Sequence, residues 1–327
     1  MTSTVESPRD VKRRYDFLLA FDVKDGNPNG DPDAANQPRI DPETGCGIVS
    51  DVCLKRKVRN FAAIAMEGKK GYDIYVREKA ILENFQKAVY ADLGLPTSSE
   101  RAASKKKRAE AGEKAKEGKD AVSRARAEMC ARYFDVRAFG AVMSLKEANC
   151  GQVRGPVQLT FGRSLDPVLA LEHSITRMAV ATQHEADEQS GDNRTMGRKN
   201  TIPYGLYIAR GFFSPQFAAQ TGFSSADLEL VWRAFSMMFE HDRSAARGLM
   251  SSRRLVVFEH ESALGNAPAH KLFDAFEGLD SSGRFIRRHD AGRPPREYSD
   301  YAVPTTEEIR SRLKKGGVSG ISVHDLI

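Results

Sequence analysis

Cysteine and tryptophan are scarce in this chain, with four Cys and one Trp among 327 residues. Cys46, Cys53, Cys130 and Cys150 form no CxxC pair and stand at no zinc-finger spacing from a histidine. A disulfide framework and a structural zinc site are therefore not expected, which points to a reduced, cytoplasmic protein. Long apolar runs are missing as well. The longest, such as Phe17–Phe21 and Leu255–Phe258, fall far short of the roughly 20 residues that cross a bilayer. Met1–Asp10 carries no apolar stretch, so neither a signal peptide nor a membrane partner is expected. The histidines make no HxH or HExxH pattern, and no Walker A, GxGxxG or GxSxG string occurs. The sequence thus offers little to a conventional enzyme and implies no cofactor and no resident metal.

What remains is a mild basic excess: 50 Lys and Arg against 44 Asp and Glu, a net charge of +6. An anionic partner is compatible with that figure, but the clustering of the cations is more informative. The length suits about two domains, or one domain enlarged by insertions.

Residues 14–23 are rich in aromatic and β-preferring side chains and read as a strand. A loop crowded with Gly, Pro, Asn and Asp follows, and Ser50 is placed to cap a helix starting at Asp51. Leu54, Val58, Phe61, Ala62 and Ala65 share one face of that helix. Arg56 then points away from the face, Lys55 and Arg59 lie on its flank, and Lys57 falls on the other edge. A short strand at 72–76 and a helix at 78–93 come next. Residues 97–131 form an Ala/Lys/Arg/Glu insertion with no apolar stripe, expected to be an exposed basic helix or a partly disordered segment. Strands are expected at 134–145, 157–161, 175–182 and 201–213. The polar linker 183–200 between the last two suggests a long hairpin arm. Ser224–Asp227 opens a helix whose buried stripe is Leu228, Val231, Trp232, Phe235, Met238 and Phe239. Leu255–Phe258 reads as a buried strand and Thr305–Lys315 as a final helix. This order is compatible with an α+β sandwich of ferredoxin-like or RNA-recognition-motif type.

Three segments carry chemistry. Asp25, Asn27, Asn29, Gly30, Asp31 and Asp33 fall on ligand positions of an EF-hand loop. Asn36 stands where the closing glutamate belongs, a strand precedes the loop, and Pro28 and Pro32 stiffen it. The same carboxylates leave open a metal-dependent endoribonuclease acting through Asp25, Asp31 or Asp33, with Asp22 nearby. Arg39, Lys55, Arg56, Lys57 and Arg59 gather where a Gly/Pro loop meets a helix, an arrangement suited to phosphate. In NRTMGRKN, the cations Arg194, Arg198 and Lys199 surround Met196 and Gly197. A cationic arm with an apolar tip can track a nucleic-acid backbone and wedge between bases.

Residues 27–61, NPNGDPDAANQPRIDPETGCGIVSDVCLKRKVRNF, resemble the N-terminal signature of the type I-C CRISPR Cascade backbone subunit. FDVRAFGAVM, NCGQVRGPVQLTFGRSLDPV, SITRMAV, DNRTMGRKNTIPYGLY, MFEHDRSAARGLMSSRRLVVF and LGNAPAHKLFDAF continue the likeness, in order, over residues 12–96 and 132–276. The resemblance implies one RNA-recognition-like palm over residues 1–327, with an insertion at 97–131 and a thumb hairpin at 183–200. It implies a protein that binds CRISPR RNA without nuclease activity of its own. Such subunits stack with copies of themselves along the guide, beside a guide-processing subunit and large and small subunits, and expose kinked guide segments to target DNA. Arg39, Lys55, Arg56 and Arg59 match the segment that grips the RNA backbone, while Arg194, Met196, Arg198 and Lys199 fall in the thumb.

Overall fold

The computed structural model describes residues 7–100, 118–189, 194–280 and 283–327. Eight strands build the main sheet: β1 (Tyr15–Gly26), β2 (Cys46–Val49), β3 (Val157–Leu159), β4 (Gly162–Pro167), β5 (Leu171–Arg177), β6 (Thr195–Phe213), β7 (Leu249–His260) and β8 (Ile321–Asp325). Their order is β8-β7-β1-β6-β4-β2, with β3 and β5 also pairing β6. Every pairing is antiparallel. The fold is therefore mixed α and β around one large antiparallel sheet.

β1 is buried from Tyr15 to Val23, on both of its faces. The reason is that helices cover the sheet on each side. Between β2 and β3 lie α1 (Asp51–Ala65), α2 (Leu82–Asp92), α3 (Gly118–Arg132) and the single-turn α4 (Phe134–Phe139). α5 (Gln183–Glu188) sits in the arm, α6 (Pro215–Thr221) and α7 (Ser225–Met237) follow β6, and α8 (Ala269–Glu277) and α9 (Thr306–Lys315) follow β7. Phe17, Phe21 and Val23 pack with Val58 and Phe61 of α1 and with Trp232 and Phe235 of α7. On the opposite face Leu18, Ala20, Leu206, Val256 and Phe258 meet Leu272 and Phe276 of α8 and Ile309 and Leu313 of α9. Tyr75, Val89, Ala125, Met129 and Tyr133 form a satellite core under α2 and α3.

Local signals account for the helix ends. The Ser50 hydroxyl accepts from the Cys53 amide at 3.4 Å at the start of α1. Ser224 and Asp227 exchange bonds in a capping box at α7, as Thr305 and Glu308 do at α9.

Four expectations change. FDVRAF is the helix α4 where a strand is expected, because Asp135 and Arg137 turn inward to buried partners and Gly140, at φ +83°, stops the turn. An apolar run this short cannot separate helix from strand by periodicity. The segment at 72–76 makes only an isolated bridge, Asp73 to Tyr133. α3 is not wholly exposed, since Ala121, Ala125 and Met129, four residues apart, are buried. A stripe of small and soft residues escapes a search for large aliphatics; residues 101–117 of the 97–131 insertion lie outside the described residues. The first arm strand runs over 171–177 in place of 175–182, and α5 occupies part of the linker.

The sheet and α7 meet at Trp232, whose ring stands edge-on to Phe17 at 5.2 Å and whose Nε1–H donates to the Pro8 carbonyl at 3.0 Å. Trp232→Ala should cost about 3–5 kcal/mol in urea unfolding, through lost burial and the cavity left behind. Burial pushes the Cys130 and Cys150 thiols up to about 11. The unfolded chain ionises them from near 9, so the contribution of the neutral thiols to stability is complete below that pH and is lost as pH climbs to 11. Replacing both with Ser or Ala should flatten the alkaline fall in melting temperature.

Candidate nucleic-acid interface

The Gly/Pro loop between β1 and β2 is organised by hydrogen bonds. The Asn29 carboxamide oxygen accepts from the Ser50 amide at 2.9 Å and from its hydroxyl at 2.8 Å, which fastens the loop to the start of α1. At its far side the Ala35 carbonyl accepts from Asn200 at the root of the arm, at 3.2 Å. One loop thus links both cationic segments. Arg39 pairs with Asp31 at 3.2 Å, which neutralises the central carboxylate. Asp33 donates its amide to Asp31 at 3.2 Å, and Asp25 is exposed, in left-handed backbone at φ 51°. Among the described residues no three His, Cys, Asp or Glu side chains converge to hold a metal ion.

α1 treats its cations unequally. Lys55 pairs with Asp51 at 2.9 Å and lies 5.8 Å from the Phe139 ring centre. Arg56 donates to the Val76 carbonyl at 2.7 Å. Arg59 donates to Asp135 at 2.8 Å; that carboxylate also accepts the Tyr75 and Val76 amides at 2.8 and 3.0 Å. Lys57 corrects the sequence reading. Its side chain is 1% exposed and its ammonium meets Asp242, not the outer edge of the helix. α1 is covered by the sheet on one side and by the turn after α7 on the other, so its buried arc is wider than one apolar stripe. The lysine stem packs as a hydrophobe and only its head finds a charge.

Asp242 belongs to the turn between α7 and β7, and it also binds Arg247. That turn is drawn close to β1: Asn27 donates its amide to the Ala246 carbonyl at 2.8 Å. A Cβ on Gly26 would lie 1.9 Å from the Arg247 carbonyl oxygen, so the approach requires glycine. Arg247 is left on the rim of a groove of about 660 Å³ beside α1. Arg56, Arg59, Lys69, Lys70 and Arg77 line the same groove.

The arm is the second cationic element. β5 is exposed along its whole length, and α5 buries no residue. In the β5–β6 ladder Met196 stands opposite Thr176, Arg198 opposite Ser174 and Lys199 opposite His173. Because side chains alternate along a strand, Met196 and Arg198 share one face and Lys199 lies on the other. Met196 is 76% exposed, and Arg198 pairs with Glu172 at 3.1 Å. Arg194 precedes the strand and donates its amide to Gln189 at 2.6 Å. Residues 190–193 of the 183–200 linker lie outside the described residues. Arg39 and the α1 cations thus stand on the body, while Arg194, Met196, Arg198 and Lys199 stand on the arm. Sequence reasoning passed over Arg247, Lys69, Lys70 and Arg77, although Arg247 lies in the quoted string MFEHDRSAARG; nothing local marks it as a neighbour of α1.

An antiparallel sheet is thus clothed on both faces, with partly buried cations on α1 and exposed ones on a projecting ladder. The sequence model of the CRISPR-associated protein Cas7 family matches residues 13–306, and the chain belongs to that family. A CRISPR-associated protein Cas7 of Haloferax volcanii is 26% identical over 295 residues, spanning 84% of this chain and 78% of its own. Among solved structures, a chain of a CRISPR RNA-guided surveillance complex in a pre-nicking state matches with a TM-score of 0.46 at 14% identity, over 75% of this chain and 78% of that one. A chain of a second CRISPR RNA-guided surveillance complex gives 0.40 at 15% identity, over 75% and 68%.

The buried pair yields an asymmetric prediction. Asp242→Ala strands Lys57 without a counter-charge and should cost about 3–5 kcal/mol. Lys57→Met keeps the volume and leaves Asp242 bound to Arg247, so urea unfolding should register a change of no more than about 1 kcal/mol. Equal losses from the two variants would refute this account of the pair.

Proposed function

We propose that the chain is the CRISPR-RNA-binding backbone subunit of a type I-C Cascade surveillance complex. Copies stack along the guide, hold its phosphates, and leave kinked base segments to pair with target DNA. Cutting is left to other components, and guide processing and target capture involve the other Cascade subunits. Membership of the Cas7 family supports the class, and the long motif strings support the subtype.

The observation that carries the reading is the arm. A two-stranded ladder exposed on every side is marginal alone, yet this one presents Met196 and Arg198 together on one face. A ladder of that kind gains stability by closing on a partner, and its cations select an anionic one. The strand order β7-β1-β6-β4, with α1 and α7 on one face, supports an RNA-recognition-type palm whose central hairpin is prolonged into the thumb. In such motifs bases stack on the open sheet face, whereas here that face carries α8 and α9. The guide is accordingly held by its backbone, and base pairing alone reads sequence.

Sequencing the nucleic acid that co-purifies with the protein tests the class. Uniform RNAs bearing a repeat-derived handle are expected, and Met196→Ala/Arg198→Ala should reduce their yield. Random RNA or none would overturn the proposal. Incubation of the purified protein with that RNA in magnesium, against an EDTA control, should leave it intact. Cleavage abolished by Asp31→Asn would establish the endoribonuclease instead.

A further inference from the structure

The groove beside α1 has a composition that the α1 cations alone do not explain. Its six cations come from three separate parts of the chain: Arg56 and Arg59 from α1, Lys69, Lys70 and Arg77 from the loop that follows, and Arg247 from the turn before β7. Three carboxylates, Glu67, Asp73 and Glu78, line it with them. Asp73 faces Arg77 at 3.5 Å. Lys70 makes no ion pair among the described residues. Arg59 and Arg247 are each held by a buried carboxylate, Asp135 and Asp242. Their guanidiniums have further donors to offer, because a guanidinium carries five N–H groups and these pairs use only a fraction of them.

The aromatic at the groove decides what kind of contact it makes. Tyr72 lines the wall, but Lys69 covers its ring at 4.8 Å and Arg137 stands over it at 4.9 Å. With Phe134 also stacked on it at 6.1 Å, the ring is already partnered and offers no free platform on which a base could stack. What the groove presents is positive charge and N–H donors.

We propose that this groove is a phosphate clamp for the backbone of single-stranded RNA, in which Arg247, Lys69 and Lys70 extend the α1 cations and Asp242 acts as the positioning residue for Arg247. The clamp rests on the guide-RNA reading and adds to it a second bank of phosphate contacts supplied by residues remote from α1 in sequence. A site made of charge without a free ring binds all sequences alike, as a subunit serving any guide requires.

The test is fluorescence anisotropy with the full chain and 5′-labelled 30-nucleotide oligouridylate and oligoadenylate over a range of salt. Arg247→Gln/Lys70→Gln should weaken both RNAs about equally, by roughly tenfold at moderate salt. The slope of log affinity against log salt should shrink by about 1.4, since each lost contact to a single strand removes about 0.7. Lys69→Gln/Lys70→Gln changes only surface lysines, and it should produce the same kind of loss with an unchanged melting temperature. Lys271→Gln/Lys315→Gln, in the groove beneath α8 and α9, should leave both affinity and slope as they are. Unchanged binding in the first two variants, with wild-type RNA affinity intact, overturns the clamp alone. Loss confined to one homopolymer overturns it too, by showing base readout. Failure of the wild-type protein to bind either RNA overturns the guide-RNA reading and the clamp together.

Discussion

The buried meeting of Lys57, Asp242 and Arg247 is the constraint on which the rest of the molecule depends. A lysine taken fully out of water inside α1 must find a carboxylate, because an isolated buried ammonium costs far more than the helix gains by packing. Among the described residues, the carboxylate that reaches it comes from the turn after α7, 185 residues away in sequence. Satisfying Lys57 therefore draws that turn against α1 and β1. In the same movement Arg247 is carried to the groove. Placement of a surface cation follows from neutralisation of a buried one.

The sheet imposes a second constraint. Its two faces are both consumed by the core, one by α1 and α7, the other by α8 and α9. A long partner can then be met only at helices, loops and edges. β6 turns this to use, since its 19 residues run without interruption from the arm to the middle of the sheet, about 60 Å at ordinary strand rise. The exposed end of the strand is stiffened by the buried end, and the loop that carries Arg39 ties the arm root to α1 through Asn200 and Asn29. Arm and helix thus share one rigid frame.

What could be read from the sequence was local. β1, the Ser50 cap, the apolar stripe of α1 and the capping boxes of α7 and α9 all announce themselves within a few residues, because their causes lie within a few residues. Runs of charge, such as Arg194, Arg198 and Lys199, were legible for the same reason. Lys57 was not, since a helical wheel records one buried face and cannot show a second element closing over the flank. α4 was not, since its two charged residues are drawn inward by Asp227, Arg59 and the backbone of residues 75 and 76. Nor was the groove, whose six cations belong to one place only after folding. Each failure has the same origin, a charge whose partner is distant in sequence.

That pattern also explains why the net charge is so modest for a protein held to bind a polyanion. Some carboxylates meet cations at the surface, as Asp31 meets Arg39 and Glu172 meets Arg198, and others are buried against the cations they orient. Asp135 holds Arg59 and Asp242 holds Arg247, both acids buried. A carboxylate in that position cancels a formal charge in the whole-chain sum, yet it fixes a guanidinium that would otherwise spend entropy searching for its ligand. Many acids are thus spent on pairing with particular bases, and whole-chain charge says little about the local field at α1.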